Sequence, residues 1–233
     1  MTGKKKERVG ILGGTFDPVH NGHMAIALSA REKFRLDRVF FVPANLSPHK
    51  RAQTPAPAER RLEMLRLALR PYPEFAVSLV ELRRAGVSYT VDTAERLRAE
   101  FPETEFFLIM GLDTFKDLGA WKEPRRLTSL CHLLVGTRPG HELKNPEEAL
   151  EEISGATYSL GAPARGPAET IELQNLETGM RAFFFAIVPK DISSSEIRRR
   201  VRDGLEVKNM LPPEVEHYII EHQLYRTRPH PIV

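Results

Sequence analysis

The chain has 233 residues, 41% hydrophobic and 28% charged, a composition that predicts a single globular domain over residues 1–233 with one sizeable core. Its net charge of +3 does not demand a nucleic-acid partner and equally suits a small phosphorylated substrate. A single cysteine, Cys131, excludes an internal disulfide framework, and no apolar run is long enough for a signal peptide or a membrane span, so we expect a cytoplasmic protein without nucleic-acid or membrane partners.

Short apolar strands alternate with amphipathic helices from residue 8 to about residue 140. The lysine-rich residues 1–7 before them are predicted to form a flexible tail. In chain order we predict a strand over 8–14, a helix over 22–34, a strand over 38–44, a Pro-rich loop over 45–58, a helix over 58–70, a strand over 75–82, a helix over 90–101 capped by Thr90 or Asp92, and strands over 105–111 and 130–140.

The pattern weakens over residues 140–180, where Gly, Pro and Glu are frequent. We predict an insertion or a mobile loop there, with one short helix over 146–153. Regular structure returns with a strand over 181–189 and a C-terminal helical part over 193–233, which holds helices over 193–204 and 212–225. The alternation predicts an α/β fold of Rossmann-like type, with helices on both faces of a parallel sheet.

Residues 13–23, GGTFDPVHNGH, join the first strand to the first helix. Gly13 and Gly14 permit a tight turn and the close approach of a ligand, and a helix N-terminus favours phosphate. His20 and His23 lie near one another at that N-terminus and can donate hydrogen bonds to phosphate oxygens. The spacing fits neither a Walker loop nor a dinucleotide fingerprint. From these residues alone a metal pair or two exposed histidines stay open, although no further ligands cluster nearby.

The segment resembles the G-x-F-D-P-x-H-x-G-H signature of the nucleotidylyltransferase superfamily, whose histidine pair contacts the phosphates of a nucleoside triphosphate. ISSSEIR, residues 192–198, resembles the second superfamily signature, I-S-S-T-x-I-R, with Ser195 where threonine is common. One serine suffices to cap the following helix, whereas three with Arg198 also suit a polyphosphate tail. The resemblance implies catalytic roles for His20, His23 and Arg198. It implies that ATP is bound by Gly13, Gly14, Thr15, Phe16, His20, His23, Ser193, Ser194, Ser195 and Arg198.

Five further segments resemble the nicotinate-mononucleotide adenylyltransferases: PANLSPHK, GVSYTVDT, GLDTFKDLGAW, GTRPG and LPPEVEHYIIEHQLY. This resemblance implies a nucleotidylyltransferase-type fold and adenylyl transfer from ATP to nicotinate mononucleotide, a step of NAD biosynthesis. It also implies Mg²⁺ bound to ATP and no metal site on the protein. It further implies that a mononucleotide pocket contains Lys50 and Arg138 near phosphate, Tyr89 and Thr90 in its lining, Asp113 on a polar group such as ribose, and Trp121 stacked on the pyridine ring.

Other interpretations stay open at this point. Taken alone, Trp121 is as readily a core residue, and Lys50 a solvated lysine. Pantetheine phosphate adenylyltransferase shares the nucleotide-binding half but typically lacks the S-Y-T-x-D-T and G-x-D…W segments. A non-catalytic nucleotide- or nucleic-acid-binding protein can reuse such a scaffold, although the intact histidine pair and ISSSEIR argue against it. The preference between nicotinate and nicotinamide mononucleotide, and the oligomeric state, leave no clear trace in the sequence.

Overall fold

The computed structural model describes residues 5–45, 55–84, 86–138, 143–161, 170–188 and 190–226. The strands are β1 (Glu7–Gly14), β2 (Arg38–Pro43), β3 (Phe75–Val77), β4 (Thr104–Gly111), β5 (His132–Thr137), β6 (Tyr158–Leu160), β7 (Ile171–Asn175) and β8 (Arg181–Ala186). The helices are α1 (Asn21–Phe34), α2 (Ala58–Leu69), α3 (Thr90–Glu100), α4 (Leu112–Lys116), α5 (Pro124–Leu130), α6 (Pro146–Ser154), α7 (Ser194–Arg202) and α8 (Pro213–Glu221), with a 3₁₀ turn at Leu118–Ala120.

The strands within these ranges form one sheet in the order β3-β2-β1-β4-β5-β8-β7-β6. The first six strands of this order, β3, β2, β1, β4, β5 and β8, are all parallel to their neighbours. This confirms the predicted α/β architecture. The prediction of a purely parallel sheet is wrong at one edge, because β7 pairs antiparallel with β8, and β6 with β7.

The reason for the antiparallel edge is a short connection. The side-chain oxygen of Asn175 accepts hydrogen bonds from the backbone N–H groups of Glu177 (2.9 Å) and Thr178 (3.0 Å), and Gly179 follows with a φ of +73°. This tight turn joins β7 directly to β8, and a turn that short can only connect antiparallel strands. Within residues 140–180, predicted as an insertion or a mobile loop, the structure places two strands, β6 and β7, beside the predicted short helix. Residues 162–169 lie outside the described ranges.

Apolar residues on the central strands alternate between two cores, one on each face of the sheet. On β4, Phe106, Leu108 and Met110 pack into one cluster, whereas Phe107 and Ile109 pack into the other. Side chains of a strand point alternately to opposite faces, so a continuous apolar run fits a sheet that is covered twice. Cys131 lies in the first of these cores, where burial raises the pKa of its thiol to about 12, in keeping with a core role.

Several predicted boundaries differ from the structure. The strand predicted over 75–82 ends at Val77, and residues 80–84 turn away from the sheet. Glu7, assigned to a flexible tail, is the first residue of β1 and pairs with Thr104 of β4. The predicted helices over 146–153, 193–204 and 212–225 are present with bounds shifted by a few residues. None of the helices in the described ranges has the length and apolar character needed to cross a bilayer.

Candidate active site

A cleft of about 640 Å³ lies where β1, β4 and β5 end, between the loops that follow these strands. Its position is the usual ligand site of an open parallel sheet, and its size suits a nucleotide. The structure brings most of the predicted site residues together in its lining: Gly13, Gly14, Thr15, His20, His23, Tyr89, Thr90, Asp113, Trp121 and Arg138. Lys50 lies outside the described residues.

The two histidines form a stacked pair at the N-terminus of α1. Their ring centroids are 3.7 Å apart with an interplanar angle of 25°. Nδ1 of His20 accepts a hydrogen bond from the Gly22 N–H (3.2 Å), and Nδ1 of His23 accepts one from the His20 N–H (3.3 Å). An accepting Nδ1 carries no proton, so in each neutral ring the proton is on Nε2. The backbone thereby fixes both imidazoles as Nε2–H donors.

Gly22, between the two histidines, has a packing role that the sequence did not reveal. A Cβ at this position would lie 3.0 Å from Nδ1 and Cε1 of the His20 ring. A residue with a Cβ would therefore require the His20 ring to shift by a few tenths of an ångström beside His23. The glycine of the H-x-G-H spacing makes room for the stacked pair.

The loop between β1 and α1 is held from beneath by a buried carboxylate. Oδ1 of Asp17 accepts hydrogen bonds from the Tyr225 hydroxyl (2.7 Å) and from the Ala56 N–H (3.3 Å). Burial, and next the Asp17 charge, raise the pKa of Tyr225, so its hydroxyl remains a donor. Phe16, with a φ of 51°, is buried edge-to-face against the His23 ring at 5.0 Å. Phe16 supports the histidine from behind and is not part of the cleft lining.

Arg61 is a second buried support that the sequence analysis missed. Its guanidinium donates to the carbonyl oxygens of Ala56 (3.1 Å), Thr15 (2.7 Å) and Ala44 (3.0 Å). Thr15 follows β1 and Ala44 follows β2, so one side chain joins the two strand ends at the rim of the cleft. Burial lowers the pKa of this guanidinium, although the neighbouring Asp17 charge opposes that effect.

The ISSSEIR segment packs directly on the first motif. Ser193 is the N-cap of α7 and accepts from the Glu196 N–H (3.2 Å), while the Ser194 hydroxyl donates to the Pro18 carbonyl (3.0 Å). Arg198 donates to the Asp17 carbonyl (2.6 Å) and to the Ser195 hydroxyl (3.3 Å). The structure therefore brings the two motifs into contact. The side chains of Ser193, Ser194, Ser195 and Arg198 lie beside the cleft, and Ile192 is the residue of this segment that lines it.

The other end of the cleft carries the predicted mononucleotide residues. Tyr89 and Trp121 are half-buried against the core on one face of the sheet. Asp113 lies in the first turn of α4, directly after β4, and Arg138 follows β5 and pairs with Asp191 at 3.6 Å. The predicted side-chain cap of α3 is absent: its N-cap is Tyr89, with no side-chain hydrogen bond to the helix.

Several charged residues of the lining were not identified from the sequence, among them Lys122, Lys190 and Glu81. Lys122 and Lys190 adjoin Trp121 and ISSSEIR, so proximity to a motif was an available signal. Glu81 gave no such signal, because it lay inside a predicted strand. It is buried, accepts a hydrogen bond from Thr93 (2.7 Å), and has a pKa raised by its burial.

Comparison with known proteins gives consistent matches. The model of the family described as cytidylyltransferase-like matches residues 11–200. Two relatives named "Probable nicotinate-nucleotide adenylyltransferase" are each 40% identical to this chain: the Geobacter metallireducens protein over 218 residues, 94% of this chain and 98% of its own, and the Thermomicrobium roseum protein over 220 residues, 94% and 92%.

A solved structure supports the fold. Plasmodium falciparum nicotinic acid mononucleotide adenylyltransferase, complexed with NaAD, matches with a TM-score of 0.67 and 18% identity. The match covers 94% of this chain and 97% of the other. At that identity the likeness concerns the fold alone.

Proposed function

The chain belongs to the cytidylyltransferase-like family and, within it, to the nicotinate-nucleotide adenylyltransferases; from that membership we propose that it transfers the adenylyl group of ATP to nicotinate mononucleotide. The products are nicotinate adenine dinucleotide and pyrophosphate, a step of NAD biosynthesis. The observation that carries the proposal is that one cleft unites the stacked pair His20 and His23 with Tyr89 and Trp121. The same cleft thus contains a helix N-terminus that suits phosphate and an aromatic surface that suits a pyridine ring.

The reaction is a direct displacement at phosphorus. An oxygen of the 5′-phosphate of the mononucleotide bonds to the α-phosphorus of ATP, while the bond from that phosphorus to the α,β-bridging oxygen breaks and pyrophosphate leaves. The attacking phosphate monoester is largely ionised at neutral pH, because its second pKa is about 6. It therefore needs no protein base. Catalysis then consists of holding two anionic groups in line and neutralising charge.

The catalytic residues proposed are His20, His23 and Arg198. The two Nε2–H groups, oriented by backbone hydrogen bonds to Nδ1, supply donors to phosphate oxygens at the positive end of α1. Arg198, fixed beside this pair through the Asp17 carbonyl, adds positive charge for the triphosphate. The remaining proposed contacts to ATP come from Gly13, Gly14, Thr15, Ser193, Ser194 and Ser195. Phe16, which the resemblance also assigned to ATP binding, is buried and supports the site from the core instead.

The mononucleotide occupies the other end of the cleft in this proposal. Trp121 stacks on the pyridine ring beside Tyr89 and Thr90. Asp113 accepts hydrogen bonds from ribose at the carboxyl end of β4. Arg138 neutralises phosphate charge, and a phosphate contact by Lys50 stays a prediction because this residue lies outside the described ranges.

An enzyme that uses ATP in this way generally works with a divalent cation, and we propose Mg²⁺, entering as part of the MgATP substrate. Mg²⁺ commonly binds substrate phosphates rather than an all-protein cage. In the described part of the chain, no three or more His, Cys, Asp or Glu side chains are grouped so that they could hold a metal ion. The cytoplasm is the proposed compartment, with the single cysteine as its support.

Pyrophosphate release from MgATP, measured with alternative acceptors, tests the proposal. Nicotinate mononucleotide should give rapid release, and 4′-phosphopantetheine none above background. Activity with phosphopantetheine alone would move the protein to the pantetheine phosphate adenylyltransferases. If the protein binds nucleotide but releases no pyrophosphate with any of the acceptors, a non-catalytic role would be supported. His20→Ala with the same acceptor set checks that release depends on the histidine pair.

A further inference from the structure

Two segments that are distant in sequence meet at the mononucleotide end of the cleft. The first is the turn that precedes α3, here called the turn wall and formed by Arg84 and residues 86–90. The second follows the 3₁₀ turn and is called the tryptophan wall, Trp121–Lys122. Ser88, Tyr89 and Thr90 of the turn wall line the cleft, as does the whole tryptophan wall. Nζ of Lys122 lies 5.0 Å from the centroid of the Tyr89 ring. A pyridine ring stacked on Trp121 would be in reach of both walls.

The carboxylate of Asp92 is bonded to both walls at once. Its Oδ2 accepts from Nη1 of Arg84 at 2.9 Å, and its Oδ1 accepts from Nζ of Lys122 at 3.0 Å. Arg84 is itself tied into the turn, because its Nη2 donates to the Val87 carbonyl (2.8 Å) and its own carbonyl accepts from Asn45 Nδ2 (2.9 Å). We call Arg84, Asp92 and Lys122 the Asp92 bridge.

Asp92 sits on a rigid support. It lies in the first turn of α3, whose residues Val91, Ala94 and Leu97 are buried in the core. Partial burial raises the pKa of Asp92, but the hydrogen bonds and charges of Lys122 and Arg84 outweigh this and hold the pKa below its ordinary value. The carboxylate is therefore ionised at neutral pH, with one oxygen for each cation.

We propose that Asp92 is a positioning residue for the mononucleotide: through the Asp92 bridge it holds the turn wall and the tryptophan wall in the relative position that the pyridine ring and its substituent need. This inference rests on the function proposed above. Partly exposed ion pairs of this kind contribute little to the free energy of unfolding, so the value of the bridge lies in geometry rather than in stability. If the groups that bind a substrate are displaced by about 1 Å, much of their contribution to binding and catalysis is lost.

The test compares Asp92→Asn with a matched control, Glu95→Gln. Both substitutions remove one negative charge from α3 and keep the side-chain shape. Glu95 pairs with Arg126 and is not among the cleft-lining residues. For Asp92→Asn we expect the KM for nicotinate mononucleotide to rise about tenfold, with the KM for ATP changed by less than about twofold. The control should match the parent in both.

Trp121 supplies a spectroscopic measurement, because it is the only tryptophan in the chain. Its emission in the ligand-free enzyme should shift in Asp92→Asn and stay unchanged in Glu95→Gln. A double-mutant cycle with Lys122→Met adds a second test. If Lys122 acts through the Asp92 bridge, the double variant should be little worse than the poorer single variant.

The possible outcomes separate the two proposals. If the parent enzyme releases no pyrophosphate with nicotinate mononucleotide, the proposed function fails. If the parent is active and Asp92→Asn behaves as Glu95→Gln does, the Asp92 bridge has no positioning role. An equal rise in the KM for ATP and for the mononucleotide would also overturn the inference, because it would indicate a general structural effect.

Discussion

Arg61 offers a sharp test of how the scaffold holds the cleft. Its side chain on α2 is only 2% exposed, yet its donors go to three backbone carbonyls, those of Ala56, Thr15 and Ala44. Two of these carbonyls follow directly on β1 and β2. Arg61→Met keeps most of the apolar stem and removes every donor, so three partly buried carbonyl acceptors lose this partner.

The expected loss of stability follows from that count. Each hydrogen bond to a charged group contributes about 1.5–3 kcal/mol, and an orphaned buried group costs about 1–3 kcal/mol. Burying the charged guanidinium costs free energy, as the lowered pKa of Arg61 shows, and the Met variant no longer bears this cost. This offsets part of the loss of stability. We therefore expect Arg61→Met to lower the free energy of unfolding by about 3–5 kcal/mol, the range for losing one partner of a buried charged contact. Arg61→Lys keeps the charge without the planar fork and should fall between Met and the parent.

Urea unfolding monitored by circular dichroism measures the effect. Arg60→Met is the matched control, because Arg60 is the preceding residue on α2, is exposed, and donates to the Tyr218 hydroxyl at 3.0 Å. The control should lie within about 1 kcal/mol of the parent, as surface contacts usually do. A loss for Arg61→Met no larger than that of Arg60→Met would refute the claim that the buried fork holds the strand ends.

Three further predictions concern the histidine pair, the pyridine pocket and pH. His23→Ala should lower kcat by about a hundredfold or more, the effect of losing one oriented donor to a transition state. Trp121→Ala should raise the KM for nicotinate mononucleotide about ten- to a hundredfold and leave that for ATP nearly unchanged, because stacking contributes about 1–3 kcal/mol per base. Burial, and next the charges of Arg181, Arg8 and Arg98, lower the pKa of His132 from 6.5 to about 4 in the folded chain. As the pH falls, this histidine therefore takes up a proton in the unfolded chain before it does so in the folded chain. Stability should then fall by up to about 3 kcal/mol as the pH drops from 6.5 to 4, and His132→Asn should remove that dependence.

Each of these predictions has a clear contrary outcome. Near-normal turnover of a folded His23→Ala enzyme would remove this histidine from the mechanism. Equal changes of both KM values in Trp121→Ala would assign the tryptophan a core role. The same decline in unfolding free energy between pH 6.5 and pH 4 in the parent and in His132→Asn would place the acid sensitivity in other groups.

The central sheet was predictable because its strands obey a local rule. The run from Phe106 to Met110 is uniformly apolar, as burial on both faces requires, and both faces are indeed covered. The edge strands β6 and β7 escaped prediction because they are short and partly exposed, with Leu160 71% exposed. Their place in the sheet depends on the pairing of β7 with β8 and of β6 with β7, which no local pattern encodes.

The site divides in the same way. His20, His23 and Gly13 are close in sequence, so a single motif was enough to predict that they lie together. Arg61 and Asp92 act through distant partners. In the sequence Arg61 looks like an ordinary surface charge of an amphipathic helix, and Asp92 looks like a helix cap. Only the tertiary structure shows that one is buried beneath the cleft and the other bonded to both walls.

The central claim, adenylyl transfer to the acid form of the mononucleotide, is tested most directly by kcat/KM for nicotinate and nicotinamide mononucleotide, measured side by side with MgATP. We expect the backbone N–H groups of residues 86–90 to be the donors to the pyridine substituent, and a carboxylate accepts from such donors about twice as strongly as a neutral group. The amide would turn a donor toward them, and each mismatch costs about 1–3 kcal/mol. We predict a preference of about a hundredfold or more for nicotinate mononucleotide. Equal values for the two acceptors would contradict the account.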